Sequence, residues 1–377
     1  MKIDRVLVLA DESANWEIAG LRQLERLLLA LDRFAESIDS KIDIFVFWKP
    51  TLPEQHWLPE HLRLKKCEVN LGFVQEQVGR VLSTRLLLKP GALAGSLFIA
   101  PQMPEDDWEK LNEVFADACR NAERTADSDS WRYLTTAKDI PAAERWFLRG
   151  SGKSQDGFVA RFLNRPISRA ISRVLLKTSL TPGAWTLSIF ALPIAGFILL
   201  LRGDYFGFVS GAALFQLFSI LDGCDGEIAR AKYLESERGR RLDTLGDVAG
   251  NILFALGLGL GLQRAHGFFY AGEGIVCASL IAANEWLLMS LQSRDAIVGV
   301  LGDTLYARHQ TMIQRAGLLS LGHKPLWWLF QLTKRDVAIL FFFLLAIAGR
   351  PQWILHFWTA TSAVSLSLAI SARSRAR

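Results

Sequence analysis

Long apolar stretches fill the second half of this 377-residue chain and constrain its fold more than any other feature. An α-helix crosses a bilayer with about 20 apolar residues, because each residue advances the helix by only about 1.5 Å. Six segments have this character: residues 184–201, 205–221, 244–262, 267–291, 337–349 and 352–371. The fifth is short unless it extends back through Trp327, Trp328 and Leu332. We therefore predict an α-helical integral membrane protein with six transmembrane helices in residues 181–377.

Residues 1–150 differ from this region, because their charge density is that of an ordinary soluble protein. Stretches with strand-like apolar runs and stretches with helical apolar spacing alternate along it: residues 6–10, 20–34, 42–48, 96–100 and 108–122. Strand–helix–strand order favours a partly parallel sheet, so the prediction is a soluble α/β domain. On the pattern alone, a domain with no catalytic role is as good an interpretation as a catalytic one.

Composition narrows the class further. Half of the residues are hydrophobic, 21% are charged and the mean hydropathy is +0.20, which excludes disordered and collagen-like chains. The cysteines form no CxxC or Cys/His cluster, so neither a zinc site nor a disulfide framework is expected. They are Cys67, Cys119, Cys224 and Cys277. A net charge of +5 on a membrane protein indicates membrane lipids with anionic headgroups before nucleic acid, which is not expected as a partner.

Residues 151–180, directly before the first apolar segment, carry a basic amphipathic pattern. One face is apolar: Phe158, Phe162, Ile167, Ile171, Val174 and Leu175. Another has a cation at every fourth position: Arg161, Arg165, Arg169, Arg173 and Lys177. Pro166 is expected to kink or restart the helix, because proline has no N–H to donate. Beside a membrane, the pattern favours a helix that lies on the surface and contacts lipid phosphates; the alternative is a solvated face on an ordinary core helix.

The distribution of lysine and arginine predicts the orientation. The connections at residues 230–241 and 294–335 are basic, as are both flanking segments, whereas the opposite loops carry only Arg202, Arg264 and Arg350. Basic loops stay on the cytoplasmic side of a membrane. We therefore expect a multi-pass protein of the cytoplasmic (inner) membrane, with both termini and the active site on the cytoplasmic side.

Four aspartates gather between the second and third apolar segments: Asp222, Asp225, Asp243 and Asp247. Carboxylates at a membrane edge are costly, so they mark function by default. The members of each pair are three or four residues apart, which places them on one face of a helix. Four like charges cannot share a site without compensation, and hard divalent cations with oxygen ligands supply it. The spacing therefore predicts a metal site.

Small residues and an arginine accompany the aspartates. Gly226 and Ala229 keep the helix narrow, as a nucleotide or phosphate lying against the backbone requires. Arg230 has a planar guanidinium that can hold a phosphate through two hydrogen bonds. Together with metal ions, these groups indicate phosphoryl transfer.

Residues 222–247 read D-x-x-D-G-x-x-A-R-x8-G-x-x-x-D-x-x-x-D, which resembles the signature of the CDP-alcohol phosphotransferase family. All eight positions are present: Asp222, Asp225, Gly226, Ala229, Arg230, Gly239, Asp243 and Asp247. The resemblance covers the membrane half, since this family has six membrane helices after an amphipathic helix. Residues 181–186 also resemble the family's Thr-Pro-Asn-x-x-Thr segment, with Gly183 in place of the asparagine.

The resemblance implies a reaction. A CDP-activated alcohol binds with its pyrophosphate on two divalent ions, Mg²⁺ or Mn²⁺, the hydroxyl of a second alcohol attacks the β-phosphorus, and CMP leaves. By position, Asp222, Asp225 and Asp243 would be metal ligands. Asp247 would lie near the metal as a further ligand and act as the general base.

The same resemblance implies where the donor binds: its nucleotide would lie against Gly226, Ala229, Arg230 and Gly239. The acceptor site is predicted from charge and position alone. Lys334 and Arg335 stand at the cytoplasmic start of the fifth apolar segment, where a basic pair would hold an acceptor phosphate or, equally, anchor the helix at the membrane surface. The partners implied are a CDP-alcohol donor, CDP-diacylglycerol or a CDP-polyol, an alcohol acceptor and a second copy of the chain, in phospholipid or polyol-phosphodiester synthesis. The alternative is a non-catalytic cation-binding membrane protein or transporter.

The front domain resembles the cytidylyltransferase fused to some members of that family, as in bifunctional inositol-phosphate cytidylyltransferase/di-inositol-phosphate-phosphate synthases. Residues 7–11 and 20–31 resemble the opening of such a nucleotidyltransferase, and residues 152–157 and 163–168 resemble the junction. Residues 11–19 contain no glycine where those enzymes have a glycine-rich phosphate loop, so backbone amides cannot readily cradle a triphosphate. We predict a degenerate relative with a structural, regulatory or dimerisation role.

Overall fold

The computed structural model describes residues 5–52, 56–59, 62, 64–73, 80–89, 107–125, 130–149, 157–297 and 334–375. Contacts divide the chain into two compact units. The first comprises Met1–Ser151, Ser172–Ser179 and Glu227–Leu234, and the second comprises Gly152–Ile171, Leu180–Gly226 and Glu235–Arg377. The sequence-based boundaries at 150 and 180 stay predictions.

The first unit is built on a parallel sheet. Its strands are β1 (Arg5–Ala10), β2 (Glu17–Ile18), β3 (Leu21–Arg22), β4 (Ile42–Trp48), β5 (Cys67–Leu71), β6 (Arg80–Ser83), β7 (Leu86–Leu88) and β8 (Trp131–Tyr133). Its helices are α1 (Gln23–Ser37), α2 (Trp108–Thr125) and α3 (Ile140–Arg149). Four strands form the parallel sheet in the order β5-β4-β1-β6, while β2 with β3 and β7 with β8 form antiparallel pairs. The predicted α/β domain with a parallel sheet is confirmed.

The predicted elements differ from the observed ones in detail for physical reasons. The strands expected at residues 6–10 and 42–48 are β1 and β4, and β1 is buried almost throughout because it is a central strand. Helix α1 begins at Gln23 instead of residue 20, because Ala19 (φ 47°) and Gly20 (φ 74°) form the turn between β2 and β3. The strand expected at residues 96–100 lies outside the described residues.

A buried carboxylate ties α1 to the sheet. Asp32 is only 7% exposed, and its carboxylate accepts hydrogen bonds from the amides of Lys65 (3.0 Å), Lys66 (2.8 Å) and Cys67 (3.1 Å) at the start of β5. These amides have Asp32 as their acceptor, so the carboxylate fixes where the edge strand begins.

We expect Asp32→Ala to destabilise the first unit. Each hydrogen bond to a charged group contributes about 1.5–3 kcal/mol, and amides left buried add a desolvation cost, so the melting temperature of the full chain should fall by about 5 °C or more. Circular dichroism on heating measures this. Asp117→Asn is the control, since its ion pair with Arg120 is exposed and should contribute little. Equal melting temperatures for the two variants would contradict the assignment.

The second unit is helical. The helices that follow α3 are α4 (Arg165–Leu175), α5 (Pro182–Ile189), α6 (Ala191–Leu200), α7 (Tyr205–Ala231), α8 (Glu237–His266), α9 (Phe269–Ile297), α10 (Arg335–Ile347) and α11 (Pro351–Arg375). A π-helical turn, Ala160–Asn164, leads into α4. The α-helix therefore restarts at Arg165, directly before Pro166, as predicted.

We call the helical residues 158–175 the juxtamembrane helix, and this helix exposes its apolar side. Phe158, Phe162 and Ile167 are exposed, whereas Asn164 and Ser168 are buried. This buried side faces α7: Asn164 Oδ1 accepts a hydrogen bond from Gln216 Nε2 (3.2 Å), and the Sγ of Cys224 lies 3.5 Å from the backbone carbonyl of Ser168. This arrangement fits the amphipathic surface helix expected from the sequence, because its apolar side is free to enter lipid.

Three helical stretches within the described residues are long and apolar enough to cross a membrane: Pro182–Leu200, Tyr205–Ala231 and Glu237–His266. The first is broken at Phe190 into α5 and α6, because Pro193 cannot donate a backbone hydrogen bond to the preceding turn. At the other three predicted spans the structure has the helices α9, α10 and α11, which are not among these three stretches. A total of six spans therefore stays a prediction. Trp327, Trp328 and Leu332 lie outside the described residues.

Glycines let α8 and α9 approach closely. A Cβ on Gly259 would lie 2.8 Å from the Cα of Gly274, so neither position has room for a side chain. Small residues at helix crossings are the usual means of packing in a membrane, where apolar side chains gain nothing by leaving lipid.

Candidate metal centre

Three of the four predicted carboxylates converge on one point. Asp222 and Asp225 come from α7 and Asp243 comes from α8, and one oxygen of each lies within 4.8 Å of the others. Asp225 is buried, while Asp222 and Asp243 are half-buried. An all-carboxylate set at this separation is the ligand chemistry that hard divalent cations prefer, so the residues present fit Mg²⁺ or Mn²⁺.

Helix α5 supports the buried member of this set. The hydroxyl of Thr186 donates to Asp225 Oδ2 over 2.7 Å, and the other oxygen, Oδ1, accepts from the amide of Gly226. The indole of Trp185 donates to the carbonyl of Leu221 (2.9 Å), which fixes α5 against α7 at this level. Thr186 has no charge and stands 39 residues from Asp225, so its contact was missed; the resemblance of residues 181–186 to a family segment was the only signal.

The fourth carboxylate has a different partner. Asp247 on α8 forms a two-bond ion pair with Arg335 at the start of α10, with Nη2 donating to Oδ1 over 2.7 Å and Nη1 donating to Oδ2. The Arg335 side chain is 38% exposed and that of Asp247 is 24% exposed. The pairing joins residues 88 positions apart and was not expected from the sequence. Arg335 therefore supplies a positive charge beside the aspartate motif.

Neighbours of Arg335 at the start of α10 have structural contacts of their own. The carbonyl of Lys334 accepts from the amide of Ala338 (3.0 Å), so Lys334 is the first residue outside the helix. Asp336 Oδ2 accepts from the amide of Ala160 (2.6 Å), and this bond holds the beginning of the juxtamembrane helix. Residues 334–336 therefore contact both the juxtamembrane helix, through Asp336, and Asp247, through Arg335.

The remaining motif residues lie on the same two helices. Gly226, Ala229 and Arg230 follow Asp225 along α7 and are half-buried. Gly239 stands in the first turn of α8, where its amide donates to Ser236 Oγ (3.0 Å) as part of a helix N-cap. The cap starts α8 about two turns before Asp243 and so sets the position of that aspartate.

Comparison with known families decides the class of this site. The model of the CDP-alcohol phosphatidyltransferase family matches residues 180–369, which is half of the chain and contains all four aspartates. The chain belongs to this family of CDP-alcohol phosphotransferase enzymes. The resemblance read from the motif is thereby confirmed.

Curated relatives share one description. A bifunctional IPC transferase and DIPP synthase of Rubrobacter xylanophilus is 42% identical over 181 residues, which is 47% of this chain and 41% of that protein. Proteins of the same description from Archaeoglobus fulgidus and Thermococcus kodakarensis are 36% and 37% identical over 129 and 133 residues, which is 34% of this chain in both cases and 25% and 30% of those proteins. The chain thus spans less than half the length of the relatives it matches.

Proposed function

We propose that this protein transfers the phosphoalcohol or phosphatidyl group of a CDP-alcohol to the hydroxyl of an acceptor alcohol and releases CMP. The observation that carries the proposal is the convergence of Asp222, Asp225 and Asp243 within 4.8 Å in a member of this family. We propose six membrane spans with the site on the cytoplasmic side, a dimeric assembly, and a role in phospholipid or polyol-phosphodiester synthesis.

In this proposal the three converging aspartates bind one or two divalent ions. Such ions, when bound, polarise the phosphoryl oxygens and offset the charge that develops on the leaving CMP. Asp247 would accept the proton of the attacking hydroxyl, and Arg335 holds its carboxylate in place by two hydrogen bonds. Asp247 would also lie at the edge of the metal site as a further ligand.

The proposed substrate contacts follow the motif. The cytidine nucleotide would lie along α7 and α8, beside the small residues Gly226, Ala229 and Gly239. The guanidinium of Arg230 would bind its phosphates. Lys334 and Arg335 would hold a phosphate of the acceptor, since the Arg335 side chain is 38% exposed and a guanidinium can bind a phosphate through two hydrogen bonds.

We propose that the front domain has no cytidylyltransferase activity. In open parallel sheets, ligands bind at the carboxyl ends of the strands where the strand order reverses, here between β1 and β6. That place is filled by internal contacts: Arg85 pairs with Asp11 (2.6 Å) and Glu12 (3.1 Å), and the hydroxyls of Ser13 and Thr84 are 2.6 Å apart. Two acidic side chains there disfavour a triphosphate.

The test uses the full chain in detergent or nanodiscs with a panel of donors and acceptors. CDP-diacylglycerol and CDP-polyols are the two donor arms, and CMP release and product mass are the readouts. With Mg²⁺ or Mn²⁺ we expect CMP release from at least one donor. EDTA should lower the rate more than about 100-fold, because bound metal contributes several kcal/mol to such transition states.

Restoring the metal should restore the rate. Cation binding without CMP release from any donor would instead support the alternative function, a cation-binding protein or transporter. Formation of a CDP-alcohol from CTP by the full chain would contradict the proposal for the front domain.

A further inference from the structure

The C-terminal end of α7 belongs to the first unit and is deeply buried there. Glu227 and Ile228 are 0% exposed and Ala231 is 1% exposed. The apolar residues of the α/β domain and the 172–179 segment that cluster with this helix end include Ile18, Leu87, Leu134, Trp146, Phe147 and Leu176. The end of the helix that carries the first half of the aspartate motif is therefore packed in the core of this unit.

The chain leaves α7 through a helix cap with an unusual residue. The amide of Leu234 donates to the carbonyl of Ala229 (2.8 Å), and Tyr233 has a φ of 57°. This geometry is that of a Schellman cap, in which glycine normally occupies the left-handed position because it has no Cβ. The guanidinium of Arg33, from α1, lies 4.9 Å from the centre of the Tyr233 ring, a favourable cation–π contact that helps to hold this strained residue.

Arg26 on α1 provides the central contact. Arg26 is only 2% exposed, and its Nη1 donates to the carbonyl of Ala231 over 2.8 Å. Nη2 donates to the carbonyl of Ile18, and the guanidinium lies 4.6 Å from the ring centre of Phe147. Burial lowers the pKa of Arg26 to about 10, so the group stays charged at neutral pH. A cation satisfies a last-turn carbonyl and interacts favourably with the negative end of the helix dipole.

A second contact lies one residue further along. Lys232 Nζ donates to the carbonyl of Thr178 over 2.7 Å, and its Cε would lie 2.6 Å from a Cβ placed on Gly20. Gly20 has a φ of 74° and also packs against the carbonyl of Leu176. Only glycine allows this approach, so the β2–β3 turn is shaped to receive the residue that follows α7.

We propose that Arg26 is a positioning residue for phosphoryl transfer. In this proposal the α/β domain holds the end of the metal-binding helix α7 in position and is not a second catalytic centre. Asp225 stands six residues before Ala231 on one continuous helix, about 9 Å along its axis. Metal–ligand distances tolerate deviations of only about 0.2 Å, so a small shift or rotation of α7 displaces Asp222 and Asp225. The effect on metal affinity rests on the function proposed above.

The experiment compares Arg26→Met with Arg85→Met in the full chain in nanodiscs. Arg85 also makes partly buried ion pairs in the α/β domain, but it has no described bond to α7, so it controls for general destabilisation. Mn²⁺ affinity is measured by electron paramagnetic resonance, and amide hydrogen exchange is followed in peptides covering residues 222–231. We expect Arg26→Met to weaken Mn²⁺ binding about tenfold or more and to speed exchange, Arg26→Lys to recover part of both losses, and Arg85→Met to stay within about twofold of wild type.

Wild-type Mn²⁺ affinity and exchange in Arg26→Met would overturn the proposal, as would an equal loss in Arg85→Met. If the wild-type chain binds no Mn²⁺, the proposed function fails, and exchange in residues 222–231 decides this inference alone: faster exchange in Arg26→Met than in Arg85→Met supports it, and equal rates refute it. If Arg26→Met does not accumulate in membranes, Arg26→Lys gives the same comparison, because lysine keeps the charge but can satisfy fewer carbonyls.

Discussion

Asp225→Asn is expected to abolish divalent-metal binding and to lower CMP release by more than about 1,000-fold, which corresponds to a loss of about 4 kcal/mol of transition-state stabilisation. Asp225 is the buried member of the converging set, and its oxygen lies within 4.8 Å of those of Asp222 and Asp243. The amide keeps the shape of the side chain but removes its charge. Electron paramagnetic resonance with Mn²⁺ and a CMP-release assay measure the two effects.

Thr186→Val is the matched control for this variant. It removes the 2.7 Å hydrogen bond to Asp225 Oδ2 and leaves the carboxylate and its charge in place. We expect metal affinity and CMP release to fall by about 10- to 100-fold, since one hydrogen bond to a charged group contributes about 1.5–3 kcal/mol. Wild-type metal affinity in Asp225→Asn would show that the convergence of the three aspartates is not a metal site.

The pairing of aspartates within each helix could be predicted because that geometry is local. Spacings of three and four residues on a helix determine which carboxylates share a face, whatever the rest of the fold. The partners of these carboxylates could not be predicted in the same way. Thr186 and Arg335 reach Asp225 and Asp247 across 39 and 88 residues, and no periodicity in the chain reports such pairings.

Helix bounds show the limits of hydropathy in a similar way. The third apolar segment was predicted from residue 244, but α8 begins at Glu237 with Ser236 as its cap. The first two turns of α8 are polar, so hydropathy does not detect them. Hydropathy predicts the apolar span, whereas the capping residue predicts where the helix begins. The first span breaks at Phe190 for a reason that the sequence does contain, Pro193.

The end of α7 was the least predictable part of the site. Nothing in the pattern of Arg26, an arginine on an amphipathic helix, indicates that its guanidinium is buried against the carbonyl of Ala231, 205 residues away. The left-handed residue after the helix is tyrosine, so the usual glycine signal for a helix C-terminus is missing. Both features depend on tertiary packing, which no local sequence pattern reports.

Asp247→Asn is expected to lower kcat by about 100- to 10,000-fold, the range that general-base catalysis contributes, and to leave Mn²⁺ bound by the three converging aspartates. Asparagine matches aspartate in shape and can still contact Arg335, but its amide cannot take a proton from an alcohol. Single-turnover CMP release at saturating donor, acceptor and metal measures the step.

Arg335→Met separates the two roles assigned to this pair. It leaves the Asp247 carboxylate able to accept a proton and removes the cation proposed for the acceptor phosphate, so KM for a phosphorylated acceptor should rise more than kcat falls. If Asp247→Asn keeps full activity, Asp247 is not the base. If Asp247→Asn loses Mn²⁺ as completely as Asp225→Asn does, the main role of Asp247 is that of a metal ligand. A base that does not bind metal would change the rate and leave Mn²⁺ affinity unchanged.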